Sequence, residues 1–212
     1  RHMTPTQLLE SLGALNGRTI AAHCIWVDAK DQAILKQRNT GCAHNPSSNM
    51  KLASGAAPVV DMLKRGIPVG LGTDGPAGSN NDFNLFEEMD LAAKLQKLVR
   101  NDPEALPAKQ AVEMATITGA RSIGMEKEIG SLEAGKRADL IVVSLRQPNA
   151  QPIFDPYSQM VYALKGSDVQ DVIVNGRIVV RDRKALTLDQ NLILQKAREY
   201  GEKVAASVKQ KH

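Results

Sequence analysis

The sequence predicts an α/β fold in which strands and helices alternate, followed by a small β module and a terminal helix. Three strand–helix units follow one another between residues 19 and 100, and this alternation favours a parallel sheet. Further along, Asn175-Gly176 separates two apolar runs and is a strong signal for a tight hairpin. We therefore divide the chain into the βα units over 1–126, the β module over 127–184, and a helix with a basic tail over 185–212.

The first unit contains a histidine within an apolar segment. Ahead of it, a short helix is predicted over Thr4 to Leu12, because a threonine suited to an N-cap and a proline open it. Thr19 to Val27 is a nearly continuous apolar run of strand length, and His23 lies inside it. Asp28 then caps a helix that is predicted to extend to about Arg38.

The second and third units combine short strands with polar turns. In the second, the strand Thr40 to Ala43 runs into the polar loop His44 to Asn49, which precedes a helix over Ala57 to Arg65. In the third, the strand Ile67 to Leu71 ends in a glycine-rich turn, and a helix follows from Leu85 to about Arg100.

Beyond the third unit the pattern changes towards short strands and hairpins. A helix is predicted over Ala108 to Gly119, and a strand over Leu140 to Val143. Two further strands, Asp171 to Asn175 and Arg177 to Arg181, flank the hairpin turn. The amphipathic segment Leu188 to Val208 predicts the terminal helix.

The composition excludes several classes of protein. Of the 212 residues, 42% are hydrophobic and only 3% aromatic, so we expect an aliphatic core. The net charge of +4 is mild, and the basic residues have no aromatic residues between them, so no nucleic-acid partner is expected. No apolar run has the length of a membrane span, so no membrane partner is expected. Cys24 and Cys42 each lie in an apolar run, which indicates buried free thiols in a cytoplasmic protein.

The three strand–helix units carry His23, His44 and Asp74 in or just after their predicted strands. In a barrel of parallel strands, the carboxyl ends of the strands meet at one site. Imidazole and carboxylate groups together suit a bound divalent metal ion. A catalytic zinc site usually takes about three protein ligands plus water. The sequence therefore predicts part of a metal site.

Each candidate also has a purely structural interpretation. An imidazole inside the first strand is usually a hydrogen-bonded core histidine, and His44 could simply bond the backbone of its loop. Asp74 could form an Asx turn or cap the following helix. Asn45 and Asn49 are turn formers first and substrate contacts second. The pair Glu87-Glu88 is interpreted as the solvated face of a helix.

Four segments of the sequence resemble the amidohydrolase superfamily, in the branch that holds 5-methylthioadenosine/S-adenosylhomocysteine deaminases and triazine chlorohydrolases. They are AAHCIWVD, AHNPSSNMKLASGAAPV, GLGTDGPAGSNNDFNLFEEM and IGSLEAGKRADLIVV. The resemblance extends from about Leu12 to Val180. The combination of HNPSSNMKLASG with NNDFNLFEEM is specific for this branch, and less specific for one substrate.

The resemblance implies a distorted (β/α)8 barrel with a small β-sandwich built from both chain ends. This chain would supply barrel strands six, seven and eight, and the C-terminal share of the sandwich. The histidine ligands on the family's strands one and five, and its catalytic glutamate, would lie ahead of Thr4. The implied partners are therefore a small-molecule substrate and the N-terminal half of the barrel, or another copy of the chain.

The resemblance also implies roles for individual residues. His23 matches the strand-six histidine that polarises the attacking water. Asp74 matches the strand-eight aspartate that binds the metal, shuttles the proton and faces the substrate. His44 and Asn45 match the end of strand seven, which helps to wall the substrate pocket. One zinc ion per active site is implied.

The function implied is the metal-dependent hydrolytic deamination of an adenine-type nucleoside thioether, either 5-methylthioadenosine or S-adenosylhomocysteine. A guanine- or triazine-type aminohydrolase or chlorohydrolase on the same scaffold is the alternative enzyme. An inactive fragment that acts only as an assembly module is the alternative from a different class.

Overall fold

The computed structural model of the chain describes residues 2–209; Arg1 and the last three residues of the predicted basic tail lie outside the described residues. The α-helices are α1 Pro5–Ser11, α2 Ala29–Gln37, α3 Pro46–Lys51, α4 Val59–Lys64, α5 Leu85–Arg100, α6 Ala108–Ala115, α7 Ile117–Ser122, α8 Pro156–Ser158 and α9 Gln190–Lys209. Two short 3-10 helices, Pro148–Ala150 and Gly166–Asp168, and a π-helical turn, Gln159–Ala163, lie between α7 and β5. The strands are β1 Ile20–Ala22, β2 Gly41–His44, β3 Val69–Leu71, β4 Leu140–Val143, β5 Val169–Val174, β6 Arg177–Arg181 and β7 Lys184–Ala185.

The first sheet is parallel, as the alternation of strands and helices predicts. Its order is β1-β2-β3. Ala21 lies opposite Cys42, and Cys42 lies opposite Val69, so the three strands are in one register. Just past the paired residues, the backbone N–H of His23 donates to the carbonyl of Ala43, and that of Gly72 donates to the carbonyl of His44. The carboxyl ends of all three strands therefore lie at the same edge.

Helix α7 packs directly onto this sheet through glycines. A Cβ atom on Gly41 would overlap the backbone carbonyl of Ser122, and a Cβ on Gly70 would lie 2.9 Å from the Cα of Gly119. Only residues without a side chain allow the helix and the strands to approach so closely. The two strands that end in His44 and near Asp74 are thereby fixed against one helix.

The core beside the parallel sheet is aliphatic, as the composition predicts. It is formed by fully buried side chains of the strands, of the helices packed against them and of the connecting loops: Leu35, Val59, Met62, Ile67, Val69, Leu106 and Met114. The two cysteines are buried free thiols, also as predicted, with their sulfur atoms 3.4 Å apart.

The second sheet is antiparallel and has the order β4-β5-β6-β7. The predicted hairpin joins β5 to β6, and its two turn residues, Asn175 and Gly176, have φ angles of 49° and 77°. Asparagine and glycine favour this turn because it needs positive φ at both central positions. The boundaries at residues 126 and 184 stay predictions.

Two of the predicted elements differ from the structure near the strand ends. His23 and Cys24 have φ angles of 67° and 48°, in the left-handed region. This conformation breaks the extended backbone, so β1 ends at Ala22 and the prediction that His23 lies inside a strand is wrong. The predicted loop from His44 to Asn49 is mostly helix α3, which Pro46 opens at a first helical position.

Elsewhere, the single helix predicted after residue 107 is divided in two. Thr116 has φ −129° and ψ −104°, far from helical values. The chain therefore changes direction there, and α7 can lie across the parallel strands.

Helix α9 is exposed along its length, and its apolar side chains face solvent: Leu192, Ile193, Leu194, Tyr200 and Val204 are each about half exposed or more. Within residues 2–209, no helix combines the length and the apolar character that crossing a bilayer would need.

Candidate active site

The parallel sheet brings two of the predicted site residues together at its carboxyl edge. His23 follows β1 directly, and Asp74 lies shortly after β3. The imidazole Nε2 of His23 is 3.7 Å from Oδ2 of Asp74, and both side chains are partly exposed. An imidazole and a carboxylate thus face each other at a place that a small molecule can reach.

Both residues have strained backbones. The φ angle of His23 is 67° and that of Asp74 is 61°. For residues other than glycine, this left-handed conformation costs on the order of 1–3 kcal/mol, and it persists only where the surroundings enforce it. The same conformation occurs at helix ends and turns elsewhere in the described chain, for example at Asn101 and Asn175, so it is not by itself a mark of the site.

Asp74 is held as an anion by two donors. The hydroxyl of Ser48 donates to Oδ2 at 2.6 Å, and the backbone N–H of Gly75 donates to Oδ1 at 2.7 Å. The bond from Ser48, and then that from Gly75, lower the pKa of Asp74 below its usual value. The carboxylate keeps further lone pairs that can accept a proton or bind a cation.

The inner nitrogen of the His23 ring is bound by α3. Nδ1 lies 2.8 Å from Oδ1 of Asn49, and the amide nitrogen of Asn45 is 3.5 Å away. Sequence reasoning missed Ser48, and considered Asn49 only as a turn former or a substrate contact, because it interpreted their segment as a loop. A proline at a first helical position followed by small polar residues was the available signal.

His44 does not join His23 and Asp74 by a hydrogen bond. It is 1% exposed, and neither ring nitrogen has a partner among the described residues. Burial, assisted by the nearby His23, lowers the pKa of His44 to about 4, so its imidazole is neutral at physiological pH. The interpretation of His44 as a loop side chain bonded to the backbone is wrong, because it is a buried strand residue.

Asn45 is also turned towards the strand ends. Its amide nitrogen donates to the carbonyl of Ala43 at 3.2 Å. Its Oδ1 would lie only 2.4 Å from a Cβ atom on Gly72, so a glycine is needed on the neighbouring segment. The side chain is 5% exposed and packs beneath the site.

Glu88 on α5 corrects the interpretation of the glutamate pair. Glu87 is exposed, but Glu88 is only 1% exposed. Its carboxylate accepts from the backbone N–H of Ser47 at 3.1 Å and from the side-chain amide of Asn80 at 3.0 Å. Burial raises its pKa. Glu88 therefore joins the start of α3 to the loop that carries Asp74.

The site can supply part of the ligand set of a metal centre. Within the part of the chain that the structure describes, no three His, Cys, Asp or Glu side chains are grouped so that they could hold a metal ion. The anionic, partly exposed carboxylate of Asp74 beside an imidazole is nevertheless a donor set that zinc accepts. Asp74 fits a single metal ligand, with the remaining ligands supplied from elsewhere.

The chain is similar to several known proteins. The model of the amidohydrolase family matches residues 1–179. The 5-methylthioadenosine/S-adenosylhomocysteine deaminase of Thermodesulfovibrio yellowstonii is 45% identical over 96% of this chain and 46% of that protein. The 5'-deoxyadenosine deaminase of Methanosarcina acetivorans is 46% identical over 94% of this chain and 45% of that protein.

A solved structure is also similar throughout. The adenosine deaminase of Xanthomonas campestris, crystallised with bound zinc, superposes with a TM-score of 0.93 at 35% identity, over 96% of this chain and 46% of that one. The chain spans about half the length of the curated relatives it matches. The resemblance drawn from the sequence motifs is confirmed, and the chain belongs to the amidohydrolase family.

Proposed function

We propose that this chain is the C-terminal half of a metal-dependent hydrolase that deaminates an adenine-type nucleoside, with 5-methylthioadenosine or S-adenosylhomocysteine as the expected substrate. The observation that carries the proposal is the 3.7 Å approach of His23 Nε2 to the Asp74 carboxylate at the carboxyl edge of the parallel sheet. The relatives support the substrate class, since each is named as a deaminase of an adenosine derivative.

Asp74 is proposed to bind zinc and to move the proton. Zinc, when bound, lowers the pKa of a coordinated water molecule to about 7. Ser48 and Gly75 hold the carboxylate ionised and oriented. In this state Asp74 accepts the proton of the attacking water at a carboxylate oxygen and later passes it towards the departing ammonia.

His23 is proposed to orient the attacking water. Its Nε2 lies 3.7 Å from Oδ2 of Asp74, so one water beside the pair can bond to both groups. The oxygen of that water attacks C6 of the adenine ring, the bond from C6 to the amino nitrogen breaks, and ammonia leaves with the proton. The products are an inosine-type compound and NH₃, which balances one water consumed.

His44 and Asn45 are proposed to support the pocket wall at the end of β2. Both are buried next to His23, and the neutral imidazole of His44 keeps two nitrogens without partners among residues 2–209. Groups from the N-terminal half, or the substrate, are expected to meet them.

A half-barrel also explains the open edges of the first sheet. We propose that β1 to β3 are barrel strands six to eight and that β4 to β7 are the C-terminal share of a β-sandwich. In the described part of the chain, β1 and β3 are edge strands, and closure of a barrel removes such edges. The N-terminal half of the barrel is therefore the expected partner, and another copy of the chain is the alternative.

A substrate panel tests the proposal. The full-length protein, meaning this chain joined to the upstream half that the resemblance implies, is loaded with zinc and offered 5-methylthioadenosine, S-adenosylhomocysteine, 5'-deoxyadenosine, guanine and a chlorotriazine. Ammonia release from the adenine compounds alone is the expected result. Preference for guanine or the triazine would favour the alternative enzyme, and no turnover together with no bound zinc would favour an assembly module.

A further inference from the structure

We propose that Asn49 is a positioning residue that fixes the tautomer of His23, so that the unprotonated Nε2 is the nitrogen that faces Asp74. The inference deepens the proposed function and rests on it for its catalytic meaning. It depends on contacts made by helix α3, which the motif resemblance leaves without a role.

The first step is the contact itself. Nδ1 of His23 lies 2.8 Å from the side-chain oxygen of Asn49. An amide oxygen only accepts hydrogen bonds, so this contact requires the proton on Nδ1. The amide nitrogen of Asn45, which would instead donate to Nδ1, is much farther away at 3.5 Å. A neutral imidazole has one proton on its ring, and its lone pair is then on Nε2. That nitrogen is 3.7 Å from Oδ2 of Asp74.

The second step is that Asn49 is fixed in place. It is 1% exposed. Its backbone N–H donates to the carbonyl of Asn45 at 3.0 Å, and its carbonyl accepts from the N–H of Ser54 at 2.8 Å. Glu88 holds the start of the same helix through Ser47. The backbone of Asn49 is therefore held in place, and the contact to His23 is the one hydrogen bond of its side-chain amide among the described residues, where Nδ2 has no partner.

The third step concerns the opposite tautomer. With the proton on Nε2, His23 would donate to the Asp74 carboxylate and occupy the oxygen that is needed for proton transfer. With the proton on Nδ1, the two groups present two acceptors to a water beside them. Only the second arrangement can orient a water that donates to both.

Helix α3 also supplies a matched control. Ser48, which precedes Asn49, donates to Asp74 and has no hydrogen bond to the His23 ring. Both residues are 1% exposed. Ser48→Ala therefore removes a buried polar contact of the same helix turn while leaving the His23 tautomer unchanged.

The test is nitrogen NMR on the zinc-loaded full-length protein with ¹⁵N-labelled histidine, at about pH 8, where an ordinary imidazole is neutral. The signals of the His23 ring nitrogens are identified as those that disappear in the spectrum of His23→Gln. The ¹⁵N chemical shifts of a protonated Nδ1 and an unprotonated Nε2 are expected in the wild type, in Ser48→Ala and in Asn49→Asp. The last variant keeps an oxygen acceptor for Nδ1. In Asn49→Leu, signal from the Nε2–H form is expected.

Kinetics provide the second readout. Asn49→Leu is expected to lower kcat by about 10–100-fold with little change in KM, the size typical when a partner that orients a functional histidine is removed. Asn49→Asp is expected to recover most of this loss. If Asn49 had only a structural role, Asn49→Leu would leave the tautomer of His23 unchanged, and Asn49→Asp would not restore kcat.

The outcomes separate the two proposals. An Nε2–H tautomer in the wild type, or an unchanged tautomer in a folded Asn49→Leu protein, would overturn the role of Asn49, and the wild-type spectrum decides this even if the leucine variant does not fold. If the tautomer responds as expected but no adenine compound is deaminated, the positioning role stands and the proposed function fails.

Discussion

Replacing Asp74 with asparagine removes one charge from the site and leaves its shape. Oδ1 of the new side chain can still accept from the N–H of Gly75, where the carboxylate now accepts at 2.7 Å. The amide nitrogen then faces the hydroxyl of Ser48, which can turn and accept instead of donating. Asparagine also tolerates the φ of 61° at this position. We therefore expect the free energy of unfolding to change by about 1 kcal/mol or less.

Turnover is expected to respond differently. Loss of a proton-transferring group typically lowers the rate by about 10²- to 10⁴-fold, which corresponds to about 3–5 kcal/mol in the activation free energy. Loss of a zinc ligand adds to this effect. Asp74→Asn in the full-length protein should therefore be almost inactive in an ammonia-release assay, although its metal-free form should melt close to the metal-free wild type.

Asp82→Asn is the matched control. Asp82 is an exposed carboxylate later in the same loop, so the same change of charge there should leave turnover near the wild-type value. The reasoning is refuted if Asp74→Asn turns over at nearly the wild-type rate. An equal loss of activity in both variants would also refute it, because the effect would then be one of general charge.

Three further predictions concern the surroundings of the site. His23→Ala should lower turnover steeply and leave the zinc content of the full-length protein mostly intact; loss of zinc in elemental analysis would make His23 a ligand instead. Burial raises the pKa of Glu88, so the folded state holds its proton to higher pH than the unfolded state and stability falls as pH rises between the two pKa values. Urea unfolding should show the free energy of unfolding falling as pH rises from about 4.5. Glu88→Gln should reduce this pH dependence, and Glu87→Gln should not. Equal pH dependence in both variants would contradict the assignment. Gly41→Ala should destabilise the chain by roughly 1–3 kcal/mol or more because its Cβ overlaps Ser122; a change no larger than that of Gly17→Ala, whose added Cβ first meets a side-chain atom at 3.4 Å, would show that α7 is free to move.

The sequence was informative where local chemistry determines local structure. Asp28 is an N-cap that accepts from two backbone N–H groups, as expected for an aspartate ahead of an apolar stripe. Asn175-Gly176 forms its turn because few other residues adopt positive φ at both positions. The parallel order of β1, β2 and β3 followed from the alternation of strands and helices.

Sequence reasoning failed where tertiary contacts determine the conformation. His23 lies in an apolar run, yet its left-handed φ ends the strand, and no local pattern predicts this. Glu88 stands one helical turn before Ala92, so the 3.6-residue period places it on the buried face, but its charge suggested solvent. Its burial depends on donors from Ser47 and Asn80, which are distant in sequence from one another.

The sequence predicted which residues belong to the candidate site better than it predicted their contacts. The approach of His23 to Asp74 agrees with the expectation that the carboxyl ends of the parallel strands meet at one edge, although β2 lies between their two strands. The contacts from Ser48 and Asn49 required knowledge that their segment is a helix rather than a loop. The catalytic roles of all these residues, and the identity of the substrate, stay proposals.

The central claim is that Asp74 and His23 face one metal-centred site. It is tested most directly by anomalous diffraction at the zinc absorption edge from crystals of the zinc-loaded full-length protein. We predict a peak bonded to the Asp74 carboxylate on the side that faces His23 Nε2. A zinc peak bonded to other residues, with Asp74 turned away into solvent, would contradict the claim.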